Sequence, residues 1–355
     1  MSEDRGEHGR AVLVTGATGL VGTEVVDQLR GAGIGEVVRT SRRGSPTDPD
    51  LVAWDMASEP PPAPLDRRWD AIVNAAANTR WTMEPEEASA ANVASVRRLG
   101  SLATGETHVV HVSTAYALGL RGDVESSDPV DYRNAYEWSK AHAERVAREC
   151  FGRLTIVRPP LIVGRRGDGR AARFAGLYTV IRGATAGTVP AVVADPGAHL
   201  DAIPVDDLAA LLVRLAADPQ AGDGSVHTIA AGTAAPRVDA AIETVVEALN
   251  RWRAARGAVP LEPPRLVSPE SWNRFFLPFI REYLTPRQAR ILELLGNFEP
   301  YLALADPIRA DHPVTDVITC IDVSTTYWAD ANPRVAALAP RPWRRAGEKV
   351  TARDA

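Results

Sequence analysis

The sequence predicts an α/β protein built on a doubly wound parallel sheet, followed by a smaller, mostly helical C-terminal region. Two observations carry this prediction. Short apolar runs, many of them β-branched, alternate with helical stretches over residues 11–164, and one later strand returns to the sheet within residues 200–230. Beyond these residues, aromatic-rich stretches with helical spacing take over. The other expected divisions are a disordered tail over residues 1–10, a second region over 165–199 and 231–345, and a tail over 346–355.

The first strand is predicted over Ala11–Thr15 and is followed by the turn Gly-Ala-Thr-Gly-Leu-Val-Gly and a helix over Thr23–Arg30. Strand, glycine turn and helix together form the context of a dinucleotide site. Gly16 permits the tight turn, Gly19 lets the backbone approach a pyrophosphate, and Gly22 allows the helix to pack closely on the strand. The helix N-terminus then offers free N–H groups to phosphates.

Further strands and helices continue the alternation and predict a parallel sheet. The strands are expected over Glu36–Ser41, Leu51–Trp54, Asp70–Asn74, Thr107–Ser113, Leu154–Arg158 and Ser225–Ala230. The helices are expected over Met83–Thr104 and Asn134–Cys150, and a strand end with a helix over Ile203–Ala217. The arginine- and glycine-rich stretch Arg165–Arg173 is expected to be mobile. The helical C-terminal region is expected to be built from Trp272, Phe275, Phe276, Phe279, Tyr283 and Phe298–Leu302.

The overall composition excludes several classes of protein. A net charge of −5 provides no basic field for nucleic acid. No apolar run approaches the length of about 20 residues that spans a bilayer, and the polar start of the chain is unlike a signal peptide. Two cysteines cannot form a disulfide framework, and the seven histidines lack the spacing of metal ligands. We therefore expect a cytoplasmic protein without a metal site or an integral membrane segment.

Lysine is rare in this chain, with two residues against thirty-eight arginines, and Lys140 lies four positions after Tyr136. On a helix, positions i and i+4 share one face, so the phenol and the ammonium would point into the same space. A neighbouring cation favours the phenolate and lowers the pKa of a tyrosine. A compact ammonium can also bind two sugar hydroxyls where the planar guanidinium would not fit.

Taken together, the glycine turn and Tyr-x-x-x-Lys resemble the extended branch of the short-chain dehydrogenase/reductase superfamily, over about residues 11–230. Further stretches resemble its fatty acyl-CoA reductase and thioester reductase, or male sterility-like, members. They are residues 74–81 (Asn-Ala-Ala-Ala-Asn-Thr-Arg-Trp), 112–116 (Val-Ser-Thr-Ala-Tyr), 134–136 (Asn-Ala-Tyr) and 157–164 (Val-Arg-Pro-Pro-Leu-Ile-Val-Gly). The resemblance implies a Rossmann fold and hydride transfer between a nicotinamide and an electrophilic carbon.

The resemblance also implies a catalytic site of Thr114, Tyr136 and Lys140. Tyr136 would give its proton to the developing alkoxide, and Thr114 would hydrogen-bond to the same oxygen. Lys140 would keep Tyr136 acidic and anchor the nicotinamide ribose. Ser113 is an alternative to Thr114 as the hydroxyl donor. The expected cofactor-binding residues are Thr15, Gly16, Thr18, Gly19, Leu20, Gly22, Ser41, Arg42, Asp55, Asn74, Ala75, Ala76, Lys140 and Pro159.

The choice of dinucleotide depends on residues 39–43, Arg-Thr-Ser-Arg-Arg, at the end of the second predicted strand. A carboxylate there would accept from the adenine-ribose hydroxyls and repel a 2′-phosphate, but this stretch has none. Ser41 and Arg42 can instead donate to that phosphate, so we expect NADPH rather than NADH. Asp55 resembles the family's adenine-contacting aspartate. Asn92 matches a position that organises the long helix, although it could equally be an exposed helical residue.

Three functions are consistent with these residues. The first is an NADPH-dependent reductase of an acyl thioester, on coenzyme A or an acyl carrier protein, forming an aldehyde and then an alcohol. The second is a dehydrogenase or epimerase acting on a nucleotide sugar, a hydroxysteroid-like compound or another small carbonyl or alcohol substrate. The third is a nucleotide sensor without catalysis, which would lack Tyr136 or Lys140. Dehydration is disfavoured because Ala115 and Tyr116 replace the Asp-Glu pair that follows the catalytic threonine in dehydratases.

Overall fold

A computed structural model describes residues 10–48, 50–185, 191–195, 197–280, 296, 298–302, 304 and 306–339. Its sheet strands are β1 Ala11–Thr15, β2 Glu36–Ser41, β3 Leu51–Ala53, β4 Ala71–Asn74, β5 His108–Val112, β6 Arg153–Arg158, β7 Leu161–Val163, β8 Ala191–Val193, β9 Ala202–Pro204, β10 Asp223–Ala230, β11 Arg265–Val267 and β12 His312–Pro313. Eight of them form one parallel sheet in the order β12-β10-β6-β5-β4-β1-β2-β3. Two small parallel pairs, β7 with β9 and β8 with β11, lie outside it.

Helices lie between the strands and after them. They are α1 Leu20–Gly31, α2 Pro85–Ala88, α3 Ala94–Gly100, α4 Ala135–Cys150, α5 Leu177–Thr185, α6 Val205–Ala217 and α7 Val238–Ala254, followed by the helices Pro269–Ser271, Leu277–Ile280, Glu299–Leu302, Val317–Ala331 and Pro333–Ala336. Single π-helical turns occupy Ser89–Val93 and Trp272–Phe276. Short 3-10 turns occupy Ala63–Leu65, Ala115–Leu118, Pro129–Asp131 and Gly232–Ala234. Within the described residues, no helix combines the length and the apolar character needed to cross a bilayer.

Side chains alternate between the two faces of the sheet, as the period of a strand requires. On β1, Val12 and Val14 pack with α1 and α6 on one face, while Leu13 packs with α3 and α4 on the other. The strands are apolar on both faces because helices cover both. This burial is the main stabilising contribution, since each fully buried valine or leucine side chain contributes about 1.5–3 kcal/mol. The predicted doubly wound sheet is therefore confirmed.

The topological switch point lies between β1 and β4. From β1 the chain builds β2 and β3 outward on one side, then crosses over to build β4, β5 and β6 on the other. Ligands of open parallel sheets bind in the crevice at such a point, beyond the carboxyl ends of the strands. Thr15, Asn74 and His111 are in register across β1, β4 and β5 at this edge.

The predicted strands occur with small changes at their ends, and β1 and β2 have the predicted bounds. The helix predicted over Met83–Thr104 is shorter and irregular: α2, a π-helical turn and α3 succeed one another, and α3 ends at Gly100. Strand β12 was not predicted, because its two residues are too few for a sequence pattern. Tyr283, residues 1–9 and the predicted tail 346–355 lie outside the described residues.

The stretch Arg165–Arg173, which was predicted to be mobile, is bound at its start to two helices. Arg165 Nε donates to Glu24 Oε2 of α1 at 2.6 Å. Arg166 Nη2 donates to Asp207 Oδ2 of α6 at 2.5 Å. Carboxylates on two helices of the sheet domain therefore hold this stretch, and the sequence pattern gave no indication of such distant partners.

Candidate active site

The turn after β1 is held by backbone contacts that leave little room for side chains. Gly16 has a φ of 65°, and a Cβ added there would lie 2.8 Å from Ala75 O and from the backbone of Ala76. A Cβ on Gly22 would lie 2.3 Å from Gly16 O. Ala17 N donates to the carbonyl oxygen of residue 40 at 3.0 Å and ties the turn to β2. The glycines at 16 and 22 are thus required by the close approach of backbone to backbone.

The start of α1 suits a phosphate group. Gly19 is the N-cap and provides no side-chain cap, and the first turn carries no acidic residue. The N–H groups of Leu20, Val21 and Gly22 precede the first intrahelical bond, from Thr23 N to Gly19 O at 3.1 Å, and lie at the positive end of the helix. Arg173, which sequence analysis did not identify, donates from Nε to Thr18 O at 2.8 Å. Its guanidinium is therefore fixed beside the turn, with further donors available. A dinucleotide pyrophosphate fits these residues.

A buried chain of polar side chains crosses the strand ends. Thr15 Oγ1 donates to Asn74 Oδ1 at 2.7 Å, and Asn74 Nδ2 contacts His111 Nδ1 at 3.0 Å. Because Asn74 Oδ1 already accepts from Thr15, its amide donates to His111, which places the imidazole proton on Nε2. Burial lowers the pKa of His111 well below its ordinary value, and the nearby Lys140 charge acts in the same direction. His111 is thus neutral, and only its polarity within an apolar strand marks it in the sequence.

The three predicted catalytic side chains come together beyond β5. Thr114 lies two residues beyond the end of β5, and its Oγ1 donates to Pro159 O and accepts from Tyr116 N, both at 3.4 Å. Its side chain is also close enough to Tyr136 to lower the pKa of that phenol. Lys140 is buried, and its Nζ donates to Val112 O at 2.7 Å. Ser113 Oγ is buried and has no partner among the described residues. Thr114 as the catalytic hydroxyl therefore stays a prediction, with Ser113 as its alternative.

The protonation of Tyr136 differs from the prediction. Burial raises the pKa of its phenol, the Glu137 carboxylate raises it further, and only the hydrogen bond with Thr114 lowers it. The expected lowering by Lys140 is not found for the polypeptide by itself. Burial also lowers the pKa of Lys140 to about 8, against an opposing effect of Glu144. Tyr136 is therefore protonated at neutral pH, as a proton donor must be.

The buried Lys140 should make folding stability depend on pH. Its pKa is about 8 in the folded chain and 10.5 ordinarily, so the unfolded chain binds this proton more tightly. The ionised ammonium therefore opposes folding below about pH 8, by on the order of 3 kcal/mol, and this penalty declines as the pH rises toward about 10.5. We expect Lys140→Met, measured without dinucleotide, to melt at a higher temperature than wild type near neutral pH. The lost bond to Val112 O reduces the gain.

Melting curves of both proteins across this pH range test the effect. The difference in melting temperature should shrink as the pH rises from about 7 to about 10, because wild-type Lys140 becomes neutral in the folded chain. A difference that stays constant over this range would contradict the effect.

Ser41 and Arg42 lie at the end of β2, where the adenine ribose was expected. Ser41 Oγ accepts from Gly44 N at 3.1 Å, and the Arg42 side chain is exposed. The structure adds one carboxylate that the sequence comparison missed: Arg39 Nη2 contacts both oxygens of Asp48, at 2.6 and 2.7 Å. Because Arg39 neutralises Asp48, this carboxylate adds no unpaired negative charge to the surroundings of Arg42.

Asp55 and Pro159 also have local partners. The Asp55 oxygens accept from Ala57 N at 3.2 Å and from Ser58 Oγ at 2.9 Å, so the carboxylate shapes the turn after β3. The carbonyl of Pro159 accepts from Ala115 N at 2.8 Å and joins the end of β6 to the residue after Thr114. Asp55 would need to exchange its partners to contact an adenine.

Asn92 is buried within the π-helical turn, so its interpretation as an exposed helical residue is wrong. Its Oδ1 accepts from Asn78 N at 2.8 Å, and its Nδ2 donates to Asn78 O at 3.1 Å and to Ser139 Oγ at 2.9 Å. Ser139 precedes Lys140 on α4. Asn92 therefore joins the loop after β4 to the helix that carries Tyr136 and Lys140.

Comparison with known proteins agrees with this geometry. The family model described as male sterility protein matches residues 62–212, which include the three predicted catalytic residues. A dTDP-4-dehydrorhamnose reductase from Burkholderia thailandensis is 30% identical over 270 residues, which cover 72% of this chain and 83% of that enzyme. The chain belongs to the extended short-chain dehydrogenase/reductase superfamily. It is an NAD(P)-dependent oxidoreductase of that type.

Solved structures of this superfamily share the fold. The terminal R domain from the myxalamid PKS-NRPS biosynthetic pathway aligns with a TM-score of 0.67 and 20% identity, covering 95% of this chain and 94% of the domain. MoeE5, solved in complex with UDP-glucuronic acid and NAD, aligns with a TM-score of 0.59 and 20% identity, covering 90% of this chain and 99% of that protein. Both alignments extend well beyond the first 230 residues, so the C-terminal region belongs to the shared architecture.

Proposed function

We propose that this oxidoreductase uses NADPH to reduce an acyl thioester carried by coenzyme A or an acyl carrier protein. The observation that carries the proposal is the match of the male sterility family across Thr114, Tyr136 and Lys140. The likeness to an R domain from a PKS-NRPS pathway over nearly the whole chain supports the same substrate class. The product would be an aldehyde, and the same site could reduce it further to an alcohol.

The chain's own residues account for the proton and the oxygen. Bound NADPH would supply the hydride. Tyr136 would donate its proton to the oxygen of the former carbonyl, and Thr114 would hold that oxygen, giving a tetrahedral hemithioacetal. Collapse of the hemithioacetal breaks the C–S bond and releases a thiol and an aldehyde. Lys140, fixed on Val112 O, would bind the ribose hydroxyls and orient the nicotinamide.

Aromatic side chains beside this site support an apolar substrate. Trp81 stacks on Tyr301 with ring centroids 4.3 Å apart and meets Phe298 edge-on at 4.4 Å. Ligand sites for apolar groups are lined in this way, with a few placed polar groups. The aromatic-rich segment around Trp272 supports an apolar acyl site less, because Trp272 is buried whereas Phe275 is 54% exposed.

Arginines of the stretch Arg165–Arg173 would be the residues to bind the phosphates of coenzyme A or a phosphopantetheine arm, and two of them already have other partners. Arg165 and Arg166 form ion pairs with carboxylates of α1 and α6. Arg170 and Arg173 are exposed residues of the same stretch, and Arg173 lies beside the glycine turn. Contacts with phosphates would therefore depend on this second pair.

A second candidate is the reduction of a nucleotide-sugar carbonyl. The observation that favours it is the 30% identity to a dTDP-4-dehydrorhamnose reductase. The same Thr114, Tyr136 and Lys140 would serve, because hydride addition to a ketone also develops negative charge on one oxygen. The two candidates differ in the leaving group: only the thioester releases a thiol.

This difference gives the test. NADPH oxidation is measured with decanoyl-coenzyme A, palmitoyl-coenzyme A, decanoyl-acyl carrier protein, decanal and a dTDP-4-keto sugar, and free thiol is measured in parallel. UDP-glucose, which can only be oxidised, is tested by NADP⁺ reduction. We expect thiol to appear with at least one thioester, at the rate of NADPH loss when the aldehyde is the product and at half that rate when the aldehyde is reduced on to the alcohol. If no thioester releases thiol, while decanal or a nucleotide sugar turns over well, the thioester proposal is wrong and the second candidate replaces it.

The dinucleotide preference is tested at Arg42. We expect Arg42→Ala to weaken NADPH binding by about 1.5–3 kcal/mol, the contribution of a charge-assisted hydrogen bond, and to leave NADH binding nearly unchanged. Both affinities can be measured by the quenching of protein fluorescence. Arg43→Ala, at the next exposed position, is the matched control. Equal losses for the two dinucleotides would assign Arg42 a structural role, and tighter binding of NADH by wild type would overturn the preference.

A further inference from the structure

Tyr301, in the C-terminal region, contacts the first turn of the catalytic helix although it lies far away in sequence. Its side chain is buried, and its hydroxyl donates to Glu137 Oε1 at 2.5 Å and accepts from Asn134 Nδ2 at 2.6 Å. Its ring stacks on Trp81 and meets Tyr116 edge-on with centroids 4.6 Å apart. The ring and the hydroxyl therefore have separate partners, and the hydroxyl contacts only the start of α4 among the described residues.

The two partners of this hydroxyl flank Tyr136. Asn134 is the N-cap of α4, and its Oδ1 accepts from Glu137 N at 3.0 Å. Together with the two bonds to Tyr301, this contact closes a hydrogen-bond ring. In it Asn134 donates to Tyr301, Tyr301 donates to Glu137, and Glu137 N donates back to Asn134. Tyr136 lies in the short segment, residues 134–137, that this hydrogen-bond ring encloses. The first turn of α4, and with it the direction of the phenol, is therefore fixed from outside the helix.

Glu137 also acts on the proton of Tyr136. Its carboxylate is fully buried, and its charge raises the pKa of the Tyr136 phenol. Burial raises the pKa of Glu137 itself, while Arg133 and the bond from Tyr301 lower it and favour the carboxylate. Tyr116 after β5 also faces Glu137, and burial together with the charges of Asp201 and Glu137 raises the pKa of its phenol.

We propose that Tyr301 is a positioning residue that, through Asn134 and Glu137, aims the Tyr136 hydroxyl and helps it keep its proton. This inference rests on the proposed role of Tyr136 as the proton donor. The hydrogen-bond ring supplies the geometry, because two of its three bonds join side chains beside Tyr136 to Tyr301, which lies outside α4. Tyr301 of the C-terminal region thereby contacts Asn134 and Glu137, which lie on either side of the proton donor in sequence.

The test compares Tyr301→Phe and Glu137→Gln with wild type, using whichever of the six probes above turns over fastest. Tyr301→Phe keeps the ring stacking and removes only the hydroxyl. We expect kcat to fall by about ten- to a hundredfold, as for a slightly misplaced catalytic group, with KM for NADPH unchanged. Glu137→Gln keeps the shape and removes the charge, so Tyr136 should lose its proton at lower pH. The alkaline limb of the pH profile of kcat should then move to lower pH.

The double variant and a control separate positioning from general destabilisation. If Tyr301 acts through Glu137, the double variant should be little slower than the slower single variant. Tyr178→Phe removes another buried hydroxyl, which accepts from Gly164 N at 2.9 Å far from α4, and should leave the pH profile unchanged. Should Tyr301→Phe fail to fold, the position of the alkaline limb in Glu137→Gln decides whether Glu137, the partner through which Tyr301 is proposed to act, helps Tyr136 to keep its proton.

The possible failures are distinguishable. Wild-type turnover in Tyr136→Phe would overturn the proposed role of Tyr136. A collapse in Tyr136→Phe, together with wild-type kcat in Tyr301→Phe and an unmoved alkaline limb in Glu137→Gln, would overturn only the role of Tyr301. Purely additive losses in the double variant would likewise show that Tyr301 does not act through Glu137.

Discussion

Replacing Tyr136 by phenylalanine should reduce turnover by about 10²–10⁴-fold, the usual contribution of a positioned general acid. The phenyl ring keeps its packing beside Met83 and Ala88, so the fold and the dinucleotide site should be preserved. Thr114 would still hold the substrate oxygen, but no proton donor would be within reach. Single-turnover measurements with saturating NADPH show the loss in the chemical step.

Tyr132→Phe is the matched control for this variant. Tyr132 lies shortly before α4, and its hydroxyl donates to Ser126 O at 3.0 Å, outside the site. We expect it to keep most of the wild-type turnover. Equal losses in the two variants would point to disturbance of the loop before α4 instead of loss of an acid.

Replacing Gly22 by alanine should have the second large effect. The new Cβ would lie 2.3 Å from Gly16 O and 2.8 Å from Ala17 Cα, and both neighbours are backbone atoms of the glycine turn. The helix or the turn must move, at a cost of about 1–3 kcal/mol of folding stability or more. Because the same turn is the proposed pyrophosphate site, NADPH affinity should fall by more than stability alone requires.

Gly31→Ala, at the end of the same helix, is the control. A Cβ at Gly31 meets nothing within 4 Å, so this variant should be neutral or slightly stabilising. Isothermal titration with NADPH and thermal melting compare the two variants. If Gly22→Ala bound NADPH as tightly as Gly31→Ala, the turn would not be the pyrophosphate site.

The sequence was sufficient for elements whose pattern is local. Ala11–Thr15 was predicted as a buried strand because its short run is apolar up to Val14 and rich in β-branched residues, and the structure buries Val12–Thr15. Gly16 and Gly22 were assigned correctly for the same reason, since only the backbone geometry of the turn explains them. Lys140 was singled out as a candidate site residue because lysine is rare in this chain.

The features that the sequence did not predict depend on long-range contacts. Tyr301 and Glu137 are far apart in sequence, so no local pattern predicts their contact. The side-chain bond of Asn92 to Ser139 accompanies a π-helical turn, where helical spacing predicts an ordinary α-helix. One local pattern was overlooked: Asn134 and Glu137 have the spacing of a helix capping box. It would have marked Glu137 as part of the start of α4.

The outermost strand limits how far the chain can be shortened. β12 pairs with the end of β10, and Asp311 N and Val314 N extend this pairing with bonds of 2.9 Å to the carbonyls of Thr228 and Ala230. A fragment ending near residue 230 would contain every predicted catalytic side chain, but it would expose these carbonyls as a bare sheet edge. Such edges recruit strands from other molecules and promote aggregation. The residues expected to bind the dinucleotide and the C-terminal region therefore share one sheet. The two parts should not be separable by truncation or proteolysis.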